Sequence, residues 1–430
     1  MLRRLDLRGA SGDLRGRLPR PQAQVEPPID EVRTLLADVR ARGDLALREL
    51  TERYDGARID ELRVPDEQVQ AGLAAISPEL RAALEAAHTN IAAYHEAQRH
   101  PDAVHRNGAI EVRELQRPVD RAACYVPSAL APLVSTVLMT AVPAKVAGVP
   151  EVVLVTSPQA DGTVAPGILA AAALAGVDEV YRVGGPAAIG ALAYGTASIR
   201  AVDVIVGPGS ARVAQAKREV SAAGLVGVPS AFAGPSEVVV IADAATPVAF
   251  AAIDIVLQAE HGPDGLAWLI TWDEAVADAV AAAVAEIVPR SPRRQHLEAT
   301  LAEGGYVVLC DGPEQALEVA NAIAPEHLEL LVEHPEALLP LVRHAGAVFC
   351  GPYAPASVGD YIAGPNHVLP TYGSARFSGA LRVDDFLKHI HVVSLGPEGL
   401  AEVADHVEAL VAYEGLDAHA ESVRIRRSPS

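Results

Sequence analysis

At 430 residues the chain is too long for one ordinary hydrophobic core, so two to four domains are expected. Half of the residues are hydrophobic but only 4% are aromatic; Ala and Val supply much of the apolar content, which suits helices packed on sheets. A formal net charge of −20 repels phosphate backbones and anionic lipid, which argues against nucleic-acid and membrane partners.

There is no charge-free apolar run of the roughly 18 residues that a membrane span needs. Residues 1–20 are rich in Arg and Leu without the apolar stretch of a secretory signal, so a cytoplasmic location is expected. Cys124, Cys310 and Cys350 are odd in number and far apart, so no disulfide framework is indicated. Each sits at the edge of an apolar run and reads as a buried structural residue.

Residues 29–54 place Leu and Val at helical spacing and stop at Gly56. A second helix starts at Ser77-Pro78, an N-cap followed by a proline in the first turn. Residues 110–116 (IEVRELQ) alternate as a half-exposed strand does. Then come short apolar runs at 151–157, 179–183 and 202–206, separated by Ala-rich stretches. A second series lies at 237–243, 266–271, 306–310 and 347–350. Each series predicts a parallel sheet covered by helices. The stretch 351–379 is loop, and 381–413 reads as helical. The expected fold class is therefore α/β: two doubly wound, Rossmann-like parallel-sheet domains with small helical N- and C-terminal segments.

Gly184-Gly185 and Gly207-Pro208-Gly209 fall where a strand meets a helix. Backbone N–H groups at such turns can hold a pyrophosphate. Neither matches G-x-G-x-x-G, and taken alone each reads more readily as a tight structural turn than as a pyrophosphate site.

None of the 14 histidines lies between Arg106 and Glu260. His88, His95, His100 and His105 lie in or just after a charged helix and read as solvated surface. Gln258 and His261 are three apart near the end of an apolar helix, so they share a face; a metal pair and a capping histidine both remain open. Glu326-His327 follows a helix and precedes an apolar strand, offering two proton-transfer groups or a surface Glu beside a capping His. Asp360 and His367 lie in a loop unusually polar for so apolar a chain. Glu414, Asp417 and His419 cluster near the end of the sequence.

Together these segments resemble the histidinol dehydrogenase family. The resemblance rests on 233–243 (AGPSEVVVIAD) leading into 253–261 (IDIVLQAEH), then 324–328 (APEHL), 359–361 (GDY) with 364–371 (GPNHVLPT), and 414–419 (EGLDAH). It implies oxidation of L-histidinol through histidinal to L-histidine, the last steps of histidine biosynthesis, with two NAD+ and one Zn2+ per subunit. It implies Gln258, His261, Asp360 and His419 as metal ligands, His327 as general base and Glu326 as the group that activates water. Ser236, His367 and Glu414 match substrate contacts, alongside the ligands and His327. Tyr125 matches a cofactor contact, and Ala187 and Ser210 stand at two more such positions. A homodimer whose C-terminal segments cross to complete the partner's active site is also implied. The corresponding division is a 1–24 arm, a metal and substrate domain of 25–124 with 237–380, a cofactor-side domain of 125–236, and a helical, partner-crossing 381–430.

The chain departs from the family pattern on the cofactor side. Ser128-Ala129 stands where Gly-Gly is usual, Ala187 where Gln is usual, Ser210 where Asn is usual, and Ser230 where an Asp is common. The resemblance therefore leaves open a paralogue acting on another alcohol, or a metal-dependent small-molecule binding protein that has lost NAD use. A zinc hydrolase is a third reading, but it leaves two nucleotide-like α/β units unexplained.

Overall fold

A computed structural model describes residues 2–19, 28–128, 131–229, 234, 236–260 and 265–427. His261, Ala129 and Ser230 lie outside the described residues. In chain order the strands are β1 (Arg3–Asp6), β2 (Ala103–Asn107), β3 (Ile110–Pro118), β4 (Arg121–Tyr125), β5 (Glu151–Thr156), β6 (Glu179–Arg182) and β7 (Val204–Val206). They continue with β8 (Glu237–Ala242), β9 (Leu266–Thr271), β10 (Gly305–Leu309), β11 (His327–Leu331), β12 (Ala347–Cys350) and β13 (Leu387–Leu395).

Two parallel sheets form the frame. One has the order β6-β5-β4-β7 and the other β1-β10-β9-β8-β11-β12. Side chains alternate across each strand, so a strand covered on both faces must be apolar throughout. In the four-stranded sheet Cys124, Leu154 and Val206 enter one core while Ala123, Val155 and Ile205 enter another. In the six-stranded sheet Val239, Trp268 and Val308 face one core, and Val240, Leu269 and Leu309 the other. The two expected doubly wound units are thus present.

The third sheet, β13-β3-β2, is antiparallel and largely exposed. It corrects the helical reading of 381–413: residues 387–395 (LKHIHVVSL) pair with β3 along their whole length. Only 397–414 of that stretch forms a long helix. The β-branched Ile390, Val392 and Val393 favour the extended chain. The first region also breaks, into helices Ile29–Arg42 and Asp44–Asp55, at Gly43 with φ +54°.

The helices within 29–96, grouped by sequence with 237–380, lie against the four-stranded sheet. Val32, Leu36 and Leu47 cover one face of the four-stranded sheet, while Leu84 and Ile91 cover its other face. β4 belongs to that same sheet, and β1 is an edge strand of the six-stranded one. An apolar helical stripe specifies that a face is buried, not which sheet buries it.

Candidate functional site

The two sheets present opposite ends to one cavity. In the four-stranded sheet the order reverses between β4 and β7, and Gly207 follows β7 at that switch point. This is where open α/β sheets place ligands, beyond the carboxyl ends of strands. In the six-stranded sheet it is the amino ends of β8 and β11 that contribute, through Ser236 and Glu326. The cavity measures about 330 Å³ and is also lined by Gly207, Gly209, Lys217 and His367. That lies near the lower end of the range for small-molecule pockets.

Glu326 and His327 are placed by the entry to β11. The preceding helix, Pro313–Ile323, closes at Ala324 in the left-handed conformation, and Pro325 prevents its continuation. His327 then pairs in register with Val238 of β8 and Ala347 of β12. A side chain at Gly346 would lie 2.6 Å from the Glu326 carbonyl oxygen, so glycine is required beside this entry.

Glu326 Oε2 accepts from the Glu237 backbone N at 3.1 Å, and the Ser236 hydroxyl donates to the same carboxyl. Burial pushes this carboxyl up to about 6, against the pull of His327. His327 Nδ1 donates to the Glu237 carbonyl at 3.2 Å, and Nε2 meets Asp360 Oδ1 at 3.2 Å. Burial opposes its charge, but the Asp360 hydrogen bond and the Glu326 and Asp360 carboxylates outweigh it and raise His327 to about 9. The ring stacks on Phe349 with centroids 5.9 Å apart. Phe349 in turn excludes any side chain at Gly359, where a Cβ would approach to 2.4 Å.

Asp360 lies in the short helix Ala356–Tyr361. His367 Nδ1 donates to the Asp360 carbonyl at 2.8 Å, and its Nε2 accepts from the Thr136 hydroxyl at 3.2 Å. The loop that carries His367 is stapled by Asn366, whose amide donates to the Met139 carbonyl at 2.6 Å and packs against His95. His95 is therefore buried under the site's loop, which corrects the solvated-surface reading; burial lowers its pKa.

A sequence profile of the histidinol dehydrogenase family matches residues 18–427. A histidinol dehydrogenase of Parasynechococcus marenigrum (strain WH8102) is 46% identical, covering 98% of this chain and 97% of its own length. One of Chlorobium chlorochromatii (strain CaD3) is 43% identical over 93% of this chain and 92% of its own. A crystal structure of histidinol dehydrogenase from Elizabethkingia anophelis matches with a TM-score of 0.93 at 32% identity, covering 99% of this chain and 98% of that one. The chain belongs to the histidinol dehydrogenase family.

For a histidinol dehydrogenase family site, the donors that this fold brings inward are nitrogen and oxygen. Gln258 ends the helix Val248–Ala259, and both atoms of its amide are buried without a hydrogen-bond partner. An orphaned buried amide costs about 1–3 kcal/mol, so the group fits a ligand position for a divalent cation. Asp360 offers a carboxylate that His327 already engages, so a cation held there would compete with His327 for it and favour the neutral imidazole. Among the described residues no three His, Cys, Asp or Glu side chains group as a metal site. His419 lies exposed in the helix Asp417–Arg427, and neither it nor Glu414 lines the cavity.

At the switch point of the four-stranded sheet, the turn at Gly207 has φ +107°, and a Cβ there would lie 2.2 Å from the Tyr125 carbonyl oxygen. Lys217 is fully buried below it and donates to the Gly207 carbonyl; burial pulls its ammonium down to about 7. The Tyr125 hydroxyl accepts from the Gly185 backbone N at 3.1 Å, so that N–H of the glycine pair is already engaged. Ala187 is buried in the first turn of the helix Gly185–Tyr194. Ser210 caps the helix Ala211–Ala222, its hydroxyl accepting from Val213 N at 3.4 Å. The three cysteines are free; burial pushes Cys124 and Cys310 up to about 12, which removes them as nucleophiles.

The sequence reading missed Thr136, Asn366, Phe349, Lys217, Asp254 and Glu329. For the last two a signal existed: a single carboxylate within an apolar helix (253–257, IDIVL) and within an apolar strand (327–331, HLELL). Such a residue is buried on both sides and needs a partner.

Proposed function

We propose that this chain oxidises L-histidinol through histidinal to L-histidine, with one divalent cation, zinc, and two NAD+ per turnover. The observation that carries this reading is Glu326 at the cavity wall with buried His327 next to it in the chain, His327 held on Asp360, and the orphaned Gln258 amide on a neighbouring element. When bound, the cation anchors the substrate's amine and imidazole, and NAD+ is the acceptor for two hydrides.

In this reading Gln258, His261, Asp360 and His419 hold the cation, while Ser236, His367 and Glu414 orient the substrate. His327, neutralised at Nε2, takes the hydroxyl proton in the first oxidation. Glu326, with a carboxyl near 6, takes a proton from water as it adds to the aldehyde. Ser236 and the Glu237 N–H keep that carboxylate aimed. The four-stranded unit takes the dinucleotide beside Tyr125, Ala187 and Ser210, and the six-stranded unit takes cation and substrate.

The reading includes a homodimer with shared sites. The helices Pro397–Glu414 and Asp417–Arg427 pack on one another and carry Leu410 and Tyr413 at 66% and 96% exposure. Such a hairpin supports docking on a second copy, which would carry Glu414 and His419 into that copy's site. No described helix is long and apolar enough to cross a membrane, and the free thiols support a cytoplasmic setting.

The test is incubation with L-histidinol, Zn2+ and NAD+, following NADH absorbance. Two NADH per histidine formed support the reading. Absence of NADH with zinc-loaded protein overturns it and favours a binding role.

A further inference from the structure

Three elements carry Gln258, His327 and Asp360, and they meet at a second set of residues one structural repeat away. Asp254 precedes Gln258 by one helical turn and so lies on the same helix face. Glu329 follows His327 by two positions and points to the same side of β11. Ala356, one turn before Asp360, donates its backbone N–H to Glu329 Oε1 at 3.2 Å.

The Asp254 and Glu329 carboxyls face each other within hydrogen-bonding reach. Asp254 is 6% exposed and Glu329 0%. Among the described residues neither has a Lys or Arg acting on it; His327 pulls Glu329 down, and Glu329 Oε2 has no donor aimed at it. Two carboxylates in contact and out of water strongly disfavour both being ionised. A proton on Glu329 Oε2 resolves this: the O–H donates to Asp254 while Oε1 still accepts from Ala356. Burial and the facing Asp254 charge push Glu329 up to about 9, and burial raises Asp254 too.

We propose that Asp254 and Glu329 share one proton, and that this acid–carboxylate contact is a positioning device that locks the helix of Gln258, the strand of His327 and the helix of Asp360 together. Neither residue lines the cavity or touches substrate. The pair acts through the three site residues, and to that extent the inference rests on the functional reading above. The precedent is physical: groups that hold ligating side chains in place change metal affinity or rate by about 10- to 100-fold when removed, and a misplacement of about 1 Å can cost 10²-fold in rate.

The test has two arms. Infrared spectra at neutral pH should contain a protonated-carboxyl C=O stretch that is lost in the Asp254→Asn/Glu329→Gln double variant. A band that is absent, or that survives the double substitution, overturns the shared proton, whatever the substrate. The second arm compares Glu329→Gln, which keeps a donor to Asp254 and an acceptor for Ala356, with Glu329→Leu, which keeps neither. Glu329→Gln should stay within about threefold of wild-type kcat and Zn2+ affinity. Glu329→Leu should lose about 10- to 100-fold in both, as read by histidinol turnover and by zinc titration. A Leu variant with lowered Tm but wild-type kcat and zinc affinity makes the pair a packing feature only and overturns the positioning role. Should Glu329→Leu fail to fold, Asp254→Ser carries the same comparison. If the wild type binds zinc but does not oxidise histidinol, the functional reading fails while the infrared and zinc measurements still decide this one.

Discussion

His327 Nε2 lies 3.2 Å from Asp360 Oδ1, and this one contact joins the group read as base to a group read as metal ligand. Asp360→Ala should therefore damage both. The expected outcome is loss of bound zinc and a fall in kcat of at least about 10², the scale of removing a preorganised site group. Elemental analysis of the purified variant checks it; unchanged zinc content removes Asp360 from the ligand set.

Glu326 and His327 are adjacent but differently set, one near 6 and the other near 9. His327→Ala should slow oxidation of histidinol by about 10² to 10⁴. Glu326→Gln should leave the first hydride transfer faster than the second, so a burst of one NADH per site precedes slow turnover. Stopped-flow absorbance resolves the two phases. A Glu326→Gln enzyme turning histidinol into histidine at the wild-type rate would remove its role.

Ser210 is an N-cap, and Asn serves that position equally well, so Ser210→Asn should leave stability unchanged. Combined with Ala187→Gln it should add hydrogen bonds to NAD+ worth about 0.5–1.5 kcal/mol each. Calorimetry should show tighter NAD+ binding in the double variant. Equal affinities would mean that other contacts, such as those around Gly207 and Lys217, already compensate.

A shared active site predicts complementation. His261→Ala and His419→Ala chains should each be inactive alone. Unfolded together and refolded, random pairing leaves about a quarter of all sites with neither defect. Mixed dimers that form yet remain inactive would show that His419 serves its own chain.

Arg121 is buried between Glu151 and Glu179, with Nη1 2.6 Å from Glu151 Oε2. Burial works against the Glu179 charge, but Arg121 outweighs it and holds the carboxyl below its usual range. A depressed folded pKa stabilises above the unfolded value and is lost as pH falls through the folded one. Wild-type Tm should thus drop in acid below the ordinary Glu range. Arg121→Met should flatten that drop and cost about 3 kcal/mol at neutral pH, the lower end for breaking a buried pair. Thermal melts across pH measure both.

The frame of two parallel sheets was legible because strands covered on both faces are written as unbroken apolar runs, as in 152–155 and 238–242. The polar loop around Asp360 and His367, and the Glu326-His327 pair at a strand entry, stood out against so apolar a chain. What the residues alone could not supply was which helices cover which sheet, since an amphipathic stripe names no partner. Strand 387–395 acquires its ladder from β3, a distant segment that no local pattern names. His95 is buried beneath distant segments, with Asn366 and Leu381 against its ring. The contacts between His327 and Asp360 and between Asp254 and Glu329 join residues far apart in the chain. Local pattern determines the faces of helices and strands, whereas packing decides which faces meet and so which side chains share a proton.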